Sequence, residues 1–124
     1  MRESGYQRKL IKAIEAMGGW AVNGNFTKDG EADLQCGFPV NGRLHYLALE
    51  VKSEKEYHRV MKCVDLVKGE YVLNGNKGLK KHEPLQIEKI NMVRSRGGLA
   101  LVAWNINQVK EYVNDSIKHD NSSE

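Results

Sequence analysis

The chain has 124 residues, 40% hydrophobic and 28% charged, and a formal net charge of +3. That length supports one domain with a modest core and excludes two, and the composition is that of a globular chain, which excludes largely disordered and collagen-like classes. Lys and Arg exceed Asp and Glu by only 19 to 16, a balance that permits a nucleic-acid partner without requiring one.

The N-terminal Met1-Arg2-Glu3-Ser4-Gly5 lacks the apolar stretch of a secretion signal, and no run of about 18 apolar residues follows, so an intracellular, cytoplasmic location and no membrane partner are expected. Tyr6, Leu10, Ala13, Ile14 and Met17 recur at helical spacing and predict a first amphipathic helix, with Arg8, Lys9, Lys12 and Glu15 largely on its polar side. Gly18-Gly19 ends it, Trp20-Ala21-Val22 begins a short strand, and Asn23 to Gly30 is a polar loop. Glu31 to Phe38 and Leu44 to Lys52 predict an antiparallel hairpin turning around Pro39-Val40-Asn41-Gly42. Residues 54 to 67 read as a helix, with Tyr57, Val60, Met61, Val64 and Val67 on one side. Tyr71 to Gly75 suits a strand and turn, and Lys77 to His82 a mobile basic loop, either solvated or in contact with nucleic acid. Pro84 fits the first turn of a helix that continues to Arg96 and stops at Gly97-Gly98. Leu99 to Trp104 is apolar enough for a central strand. A last helix from Asn107 to Lys118 carries Val109, Tyr112, Val113 and Ile117 at core spacing, and 119–124 is expected to be a disordered polar tail.

Cys36 and Cys63 are too few for a disulfide framework, and a zinc site built from Cys36, His45, His58 and Cys63 would need unrelated parts of the chain to converge.

The chemistry concentrates in Tyr46-Leu47-Ala48-Leu49-Glu50-Val51-Lys52-Ser53. Strand alternation sends Leu47, Leu49 and Val51 to one face and Glu50 and Lys52 to the other, their roots roughly 6 to 7 Å apart. A carboxylate ending so apolar a strand is costly to bury unless it is paired, hydrogen-bonded or bound to a cation. With 11 Glu and 13 Lys, about one Glu-x-Lys arises by chance, so the tripeptide alone says little. Its context says more. Glu50-Val51-Lys52 closes a strand, Asp33 lies upstream in a second strand-like segment, and Gly30 precedes it where the chain turns. Two readings follow, a metal site or an ion pair at a strand end, and whether Asp33 and Glu50 meet depends on a register that the pattern leaves open.

The order helix, three strands, helix, strand, helix resembles the PD-(D/E)xK nuclease superfamily and, more closely, the VRR-NUC family. The matching positions are Glu3 and Gln7 on the first helix, Gly30-Glu31-Ala32-Asp33, Glu50-Val51-Lys52, and Gln86 opening the helix that leads into Gly97-Gly98-Leu99-Ala100-Leu101-Val102. The resemblance covers residues 3–113 and implies an α/β, restriction-endonuclease-like core, a mixed central sheet flanked by helices, in one nuclease domain over residues 1–118. Two features depart from the family pattern: Ala32 stands where members usually have Pro, and 53–84 is longer than the usual connection to Gln86.

The resemblance implies that Asp33, Glu50 and the main-chain carbonyl of Val51 bind Mg²⁺ or Mn²⁺, hard cations that prefer oxygen ligands. Lys52 would position the attacking water or offset negative charge. Glu3 would complete the site through the metal or its waters, the alternative being a capping box of Ser4 and Gln7 that leaves Glu3 outside. Gln86 would hydrogen-bond the phosphate or the Lys52 side of the site, or else is an exposed helix-start residue. Lys89 and Arg96 share roughly one helical side, from which Arg94 is displaced; with Lys80 and Lys81 they are candidate contacts to backbone phosphates. The implied activity is metal-dependent endonucleolytic cleavage of DNA, structure-specific on branched substrates such as four-way junctions and carried out by a homodimer. A phage or mobile-element origin is compatible with it. The rivals are a non-catalytic nucleic-acid-binding module of the same fold, a small interaction protein in which Glu50 and Lys52 form an ion pair, and a sequence-specific restriction-type enzyme.

Overall fold

The computed structural model describes residues 3–24 and 33–122, with side chains for 4–24 and 33–118. In chain order these form α1 (Glu3–Ala16), β1 (Trp20–Asn23), β2 (Leu34–Val40), β3 (Arg43–Val51), α2 (Glu54–Met61), β4 (Val64–Val67), β5 (Glu70–Leu73), α3 (Glu83–Ser95), β6 (Leu99–Ala103) and α4 (Ile106–Ser122). Most of the expected loop from Asn23 to Gly30, and Glu31-Ala32 after it, lie outside the described residues.

Four strands make a mixed sheet in the order β1-β2-β3-β6. β2 is antiparallel to both neighbours, and β6 runs parallel to β3. The β2–β3 hairpin turns on Asn41-Gly42 alone, with φ of 51° and 78°, the left-handed pair that matches strand twist. β2 therefore continues through Pro39 to Val40. Pro39 lies beyond Gly37, the last residue of β2 paired with β1, so its missing N–H costs no rung on that side.

Alternation along β3 divides the core into two layers. Leu47, Leu49 and Val51 pack with Leu34, Cys36, Phe38, Leu101 and Ala103 beneath Leu10 and Ile14 of α1 and Val109 and Val113 of α4. On the other face Ala48, Ala100 and Val102 receive Val60 of α2, Tyr71 of β5, and Ile87 and Ile90 of α3. Each fully buried Leu, Ile or Val contributes roughly 1.5–3 kcal/mol, and a one-residue slip would turn the whole odd-numbered row outward. The same register places the even-numbered Glu50 and Lys52 on the face covered by α2 and α3.

Three sequence expectations are corrected. Residues 54–67 are not one helix: α2 stops at Met61, and Val64–Val67 forms a two-stranded ribbon with β5. Its turn is Lys68-Gly69, with φ of 51° and 81°, a hairpin signal that valines at mixed three- and four-residue spacing obscure. β6 is not central but lies at the end of the strand order. Its apolar composition reflects cover on both faces, and its outer edge is closed by side chains. Tyr112 Oη accepts the Ala100 N–H at 3.1 Å, Arg94 Nε donates to the Ala100 carbonyl at 2.7 Å, and Tyr71 Oη accepts the Val102 N–H at 3.4 Å. Finally, α4 continues past Lys118 to Ser122, a stretch whose polar composition points to a tail. Among the described residues no helix is long and apolar enough to cross a membrane.

Candidate active site

The hairpin register that sequence pattern left open brings two carboxylates together. Leu34 pairs with Leu49, so Asp33 and Glu50 stand opposite each other at the next rung. Both are buried, at 6% and 2% exposure. Asp33 Oδ2 accepts the Val51 N–H at 2.8 Å, which substitutes a carboxylate for a strand carbonyl where the ladder ends. The Val51 carbonyl leaves the strand on the same edge as that N–H.

Two carboxylates and a carbonyl, all hard oxygen donors, suit Mg²⁺, Mn²⁺ or Ca²⁺ and not a thiolate-seeking metal. Like charges on one buried rung also repel, a cost that a cation would offset. The side chain of Glu3, the third expected carboxylate, lies outside the described residues. Among those residues, no three His, Cys, Asp or Glu side chains gather into a metal-binding group. The Asp33–Glu50 pair is thus a two-carboxylate platform.

Lys52 sits where β3 becomes α2. Its N–H donates to the Ala103 carbonyl at 3.1 Å, adding a rung to the β3–β6 ladder. Ser53 Oγ then caps α2 by accepting the Glu56 N–H at 3.2 Å. With its backbone fixed on both sides, Lys52 extends its ammonium to Glu83 Oε2 at 3.1 Å. The two side chains are only 6% and 1% exposed.

Glu83 is a residue of the candidate site that sequence reasoning missed. A first-turn acid before a proline reads as an ordinary partner for the helix dipole, and nothing in the local pattern marks it as buried. Its carboxylate is gripped from three directions. Arg59 donates to both oxygens at 2.8 Å, the Lys80 N–H reaches Oε1 at 2.6 Å, and Lys52 holds Oε2. Burial pushes the Glu83 carboxyl up, but the Arg59 fork, the Lys80 N–H and the Lys52 ammonium outweigh it and bring it down to about 2. Arg59 is in turn bound to Glu56 at 2.6 Å, and its guanidinium is held still further above its ordinary range by Glu83 and Glu56.

Gln86 lies one turn after Glu83 on α3, and its Oε1 is buried with no hydrogen-bond partner among the described residues. Lys80 and Lys81 are exposed in the loop that enters α3, and Lys80 Nζ is 3.3 Å from Glu56 Oε2. Lys89 is half-buried farther along α3. Arg96 is exposed just past the far end of that helix, about 20 Å along the axis from Glu83. Arg94 turns to the β6 edge, with its guanidinium 4.4 Å and 4.6 Å from the ring centres of Tyr71 and Tyr112. The zinc grouping does not assemble. Cys36 is buried under α1 and α4, where burial pushes its thiol up to about 12, while Cys63 is buried just after α2 with its Sγ donating to the Lys77 carbonyl at 3.2 Å.

No protein-family model matches the chain, and no curated protein matches it in sequence. One solved structure, described as "VRR_NUC domain", is similar with a TM-score of 0.56 at 21% identity, over 90% of this chain and 94% of that one. The chain has the fold of a VRR-NUC domain, a restriction-endonuclease-like mixed sheet flanked by helices.

Proposed function

We propose that the protein is a Mg²⁺- or Mn²⁺-dependent DNA endonuclease that acts on branched DNA such as four-way junctions. The observation that carries this reading is the placement of Asp33 opposite Glu50, beside the Val51 carbonyl, with Lys52 two residues on along the Glu50 face. Asp33, Glu50 and Val51 would hold the cation. When bound, it supplies Lewis-acid stabilisation of charge at the scissile phosphate and lowers the pKa of the attacking water.

The chain's own residues do the rest. The Val51 N–H fixes the Asp33 carboxylate, so that ligand is oriented before any cation arrives. The Lys52 ammonium has three donors; one is held by Glu83, and the others can orient water or meet a phosphate oxygen. Gln86 offers an amide one turn after Glu83 on α3. Lys80 and Lys81 present positive charge at the rim for the phosphate backbone. One small domain carries one such site, so cutting both arms of a junction most simply uses two copies, a homodimer.

The test is cleavage of a labelled four-way junction beside a linear duplex of the same sequence, with Mg²⁺, Mn²⁺ or EDTA, for wild type and Lys52→Ala. Metal-dependent cutting of the junction alone, lost in the variant, supports the reading. Junction binding that persists in EDTA, without cleavage under any condition, replaces it with a binding module. Discrete fragments from the duplex point to sequence-specific cutting instead.

A further inference from the structure

We infer that Glu83 is a positioning residue for Lys52, with Arg59 as its anchor, and that this clamp sets the place of the ammonium in the site. The inference rests on the nuclease reading above. A lysine side chain has four rotatable bonds and loses much entropy when held in one place. A single surface ion pair does not hold such a chain. The Lys52 pair differs in being buried and backed. Its partner carboxylate is fixed by a bidentate guanidinium and by a main-chain N–H from the loop entering α3, so it has little freedom of its own.

The clamp also joins separate elements. Lys52 follows directly on β3, Arg59 lies on α2, and Glu83 begins α3, so one carboxylate ties the two helices covering this face to the strand that bears Glu50. Without it, Lys52 would lose its fixed position, and a 1 Å misplacement in an active site can cost about 100-fold in rate.

Glu83→Gln and Arg59→Gln test this, the second because Arg59 is 29% exposed and its loss leaves the buried pair in place. The first readout needs neither metal nor DNA: the Lys52 ammonium signal in a ¹H–¹⁵N spectrum of the metal-free protein. It should be visible in wild type, where burial and pairing slow proton exchange, and absent or broadened in Glu83→Gln. The second is kcat and KM for junction cleavage. Glu83→Gln should lower kcat about 10- to 100-fold with KM changed less than about twofold, and Arg59→Gln should lower it by a smaller factor.

An unchanged ammonium signal, or full kcat in a folded Glu83→Gln variant, overturns the proposal. So does full kcat in Arg59→Gln should Glu83→Gln fail to fold. If wild type cleaves nothing, the nuclease reading fails, and the ammonium spectrum still decides whether Glu83 holds Lys52.

Discussion

Asp33 completes the sheet with its side chain: its Oδ2 sits 2.8 Å from the Val51 N–H, in the place of a partner strand's carbonyl. One carboxylate therefore has a structural task and a chemical one, and substitutions can separate them. Asp33→Ala leaves a buried N–H without its acceptor and should cost about 1–3 kcal/mol. Asp33→Asn keeps an acceptor oxygen and should recover most of that stability. Neither variant should cleave. Mn²⁺ should raise the melting temperature of wild type by mass action and leave that of Asp33→Asn unmoved. Thermal unfolding with and without Mn²⁺ measures both effects, and equal stabilisation of the two proteins by Mn²⁺ would remove Asp33 from the ligand set.

Glu83 makes a prediction about acid. Its carboxyl, ordinarily near 4.5, is held at about 2 in the folded protein, so the folded state favours the ionised form. A depressed carboxylate contributes stability that is fully present above its ordinary value and is lost as pH falls through the folded value. The window is therefore from about pH 5 down to about pH 2, and the contribution is of order 3 kcal/mol. Glu83→Gln should be less stable than wild type at neutral pH, with the gap narrowing as the pH falls through that window. Parallel curves for the two proteins from pH 5 to 2 would show that Glu83 is not the group involved.

How much of this was legible in the sequence depends on whether the signal was local. The two faces of β3 follow from alternation, because Leu47, Leu49 and Val51 cannot be turned to water together; Glu50 and Lys52 fall on the other face for that reason. The Asn41-Gly42 turn is a strong local signal, although Pro39 suggested an earlier end to β2. Lys68-Gly69 makes the same kind of turn, yet lysine rarely marks a left-handed position, and the valine spacing before it imitates a continuing helix. Glu83 was invisible because its meaning lies in Lys52 and Arg59, 31 and 24 residues away in sequence. Arg94 was set apart from a phosphate-binding face, but its task at the β6 edge depends on two tyrosines from distant elements.

The basic side chains should differ in their effect on DNA. Lys81 is exposed in the loop that delivers Glu83 to the site, whereas Arg96 lies at the opposite end of α3. Lys81→Ala should weaken junction binding and reduce the slope of log affinity against log salt by about 1, the loss of one phosphate contact. Arg96→Ala should alter that slope much less, because a contact about 20 Å along α3 requires DNA to follow the whole helix. Titrations at several salt concentrations in Ca²⁺ or EDTA measure this without cleavage. A full unit of slope lost in Arg96→Ala would extend the DNA path along α3.

The closed edge of β6 gives the last prediction. A terminal strand exposes unpaired N–H and carbonyl groups that invite another chain, and here Ala100 and Val102 face that edge. Tyr71 Oη takes the Val102 N–H and Tyr112 Oη the Ala100 N–H, while Arg94 between the two rings donates to the Ala100 carbonyl. Val102 is 2% exposed, so its N–H has little access to water when the phenol is removed. Tyr71→Phe should therefore destabilise the fold by about 1–3 kcal/mol with almost no change in packed volume. Tyr112→Phe, at a half-buried position, should cost less because water can replace the lost oxygen. Arg94→Gln removes the carbonyl contact and both ring contacts and should be the most harmful of the three. Chemical denaturation gives the order, and light scattering reports whether the opened edge recruits a second chain. If Tyr71→Phe is as stable as wild type, the 3.4 Å contact to Val102 contributes nothing to closing the edge, and Arg94 and Tyr112 close it alone.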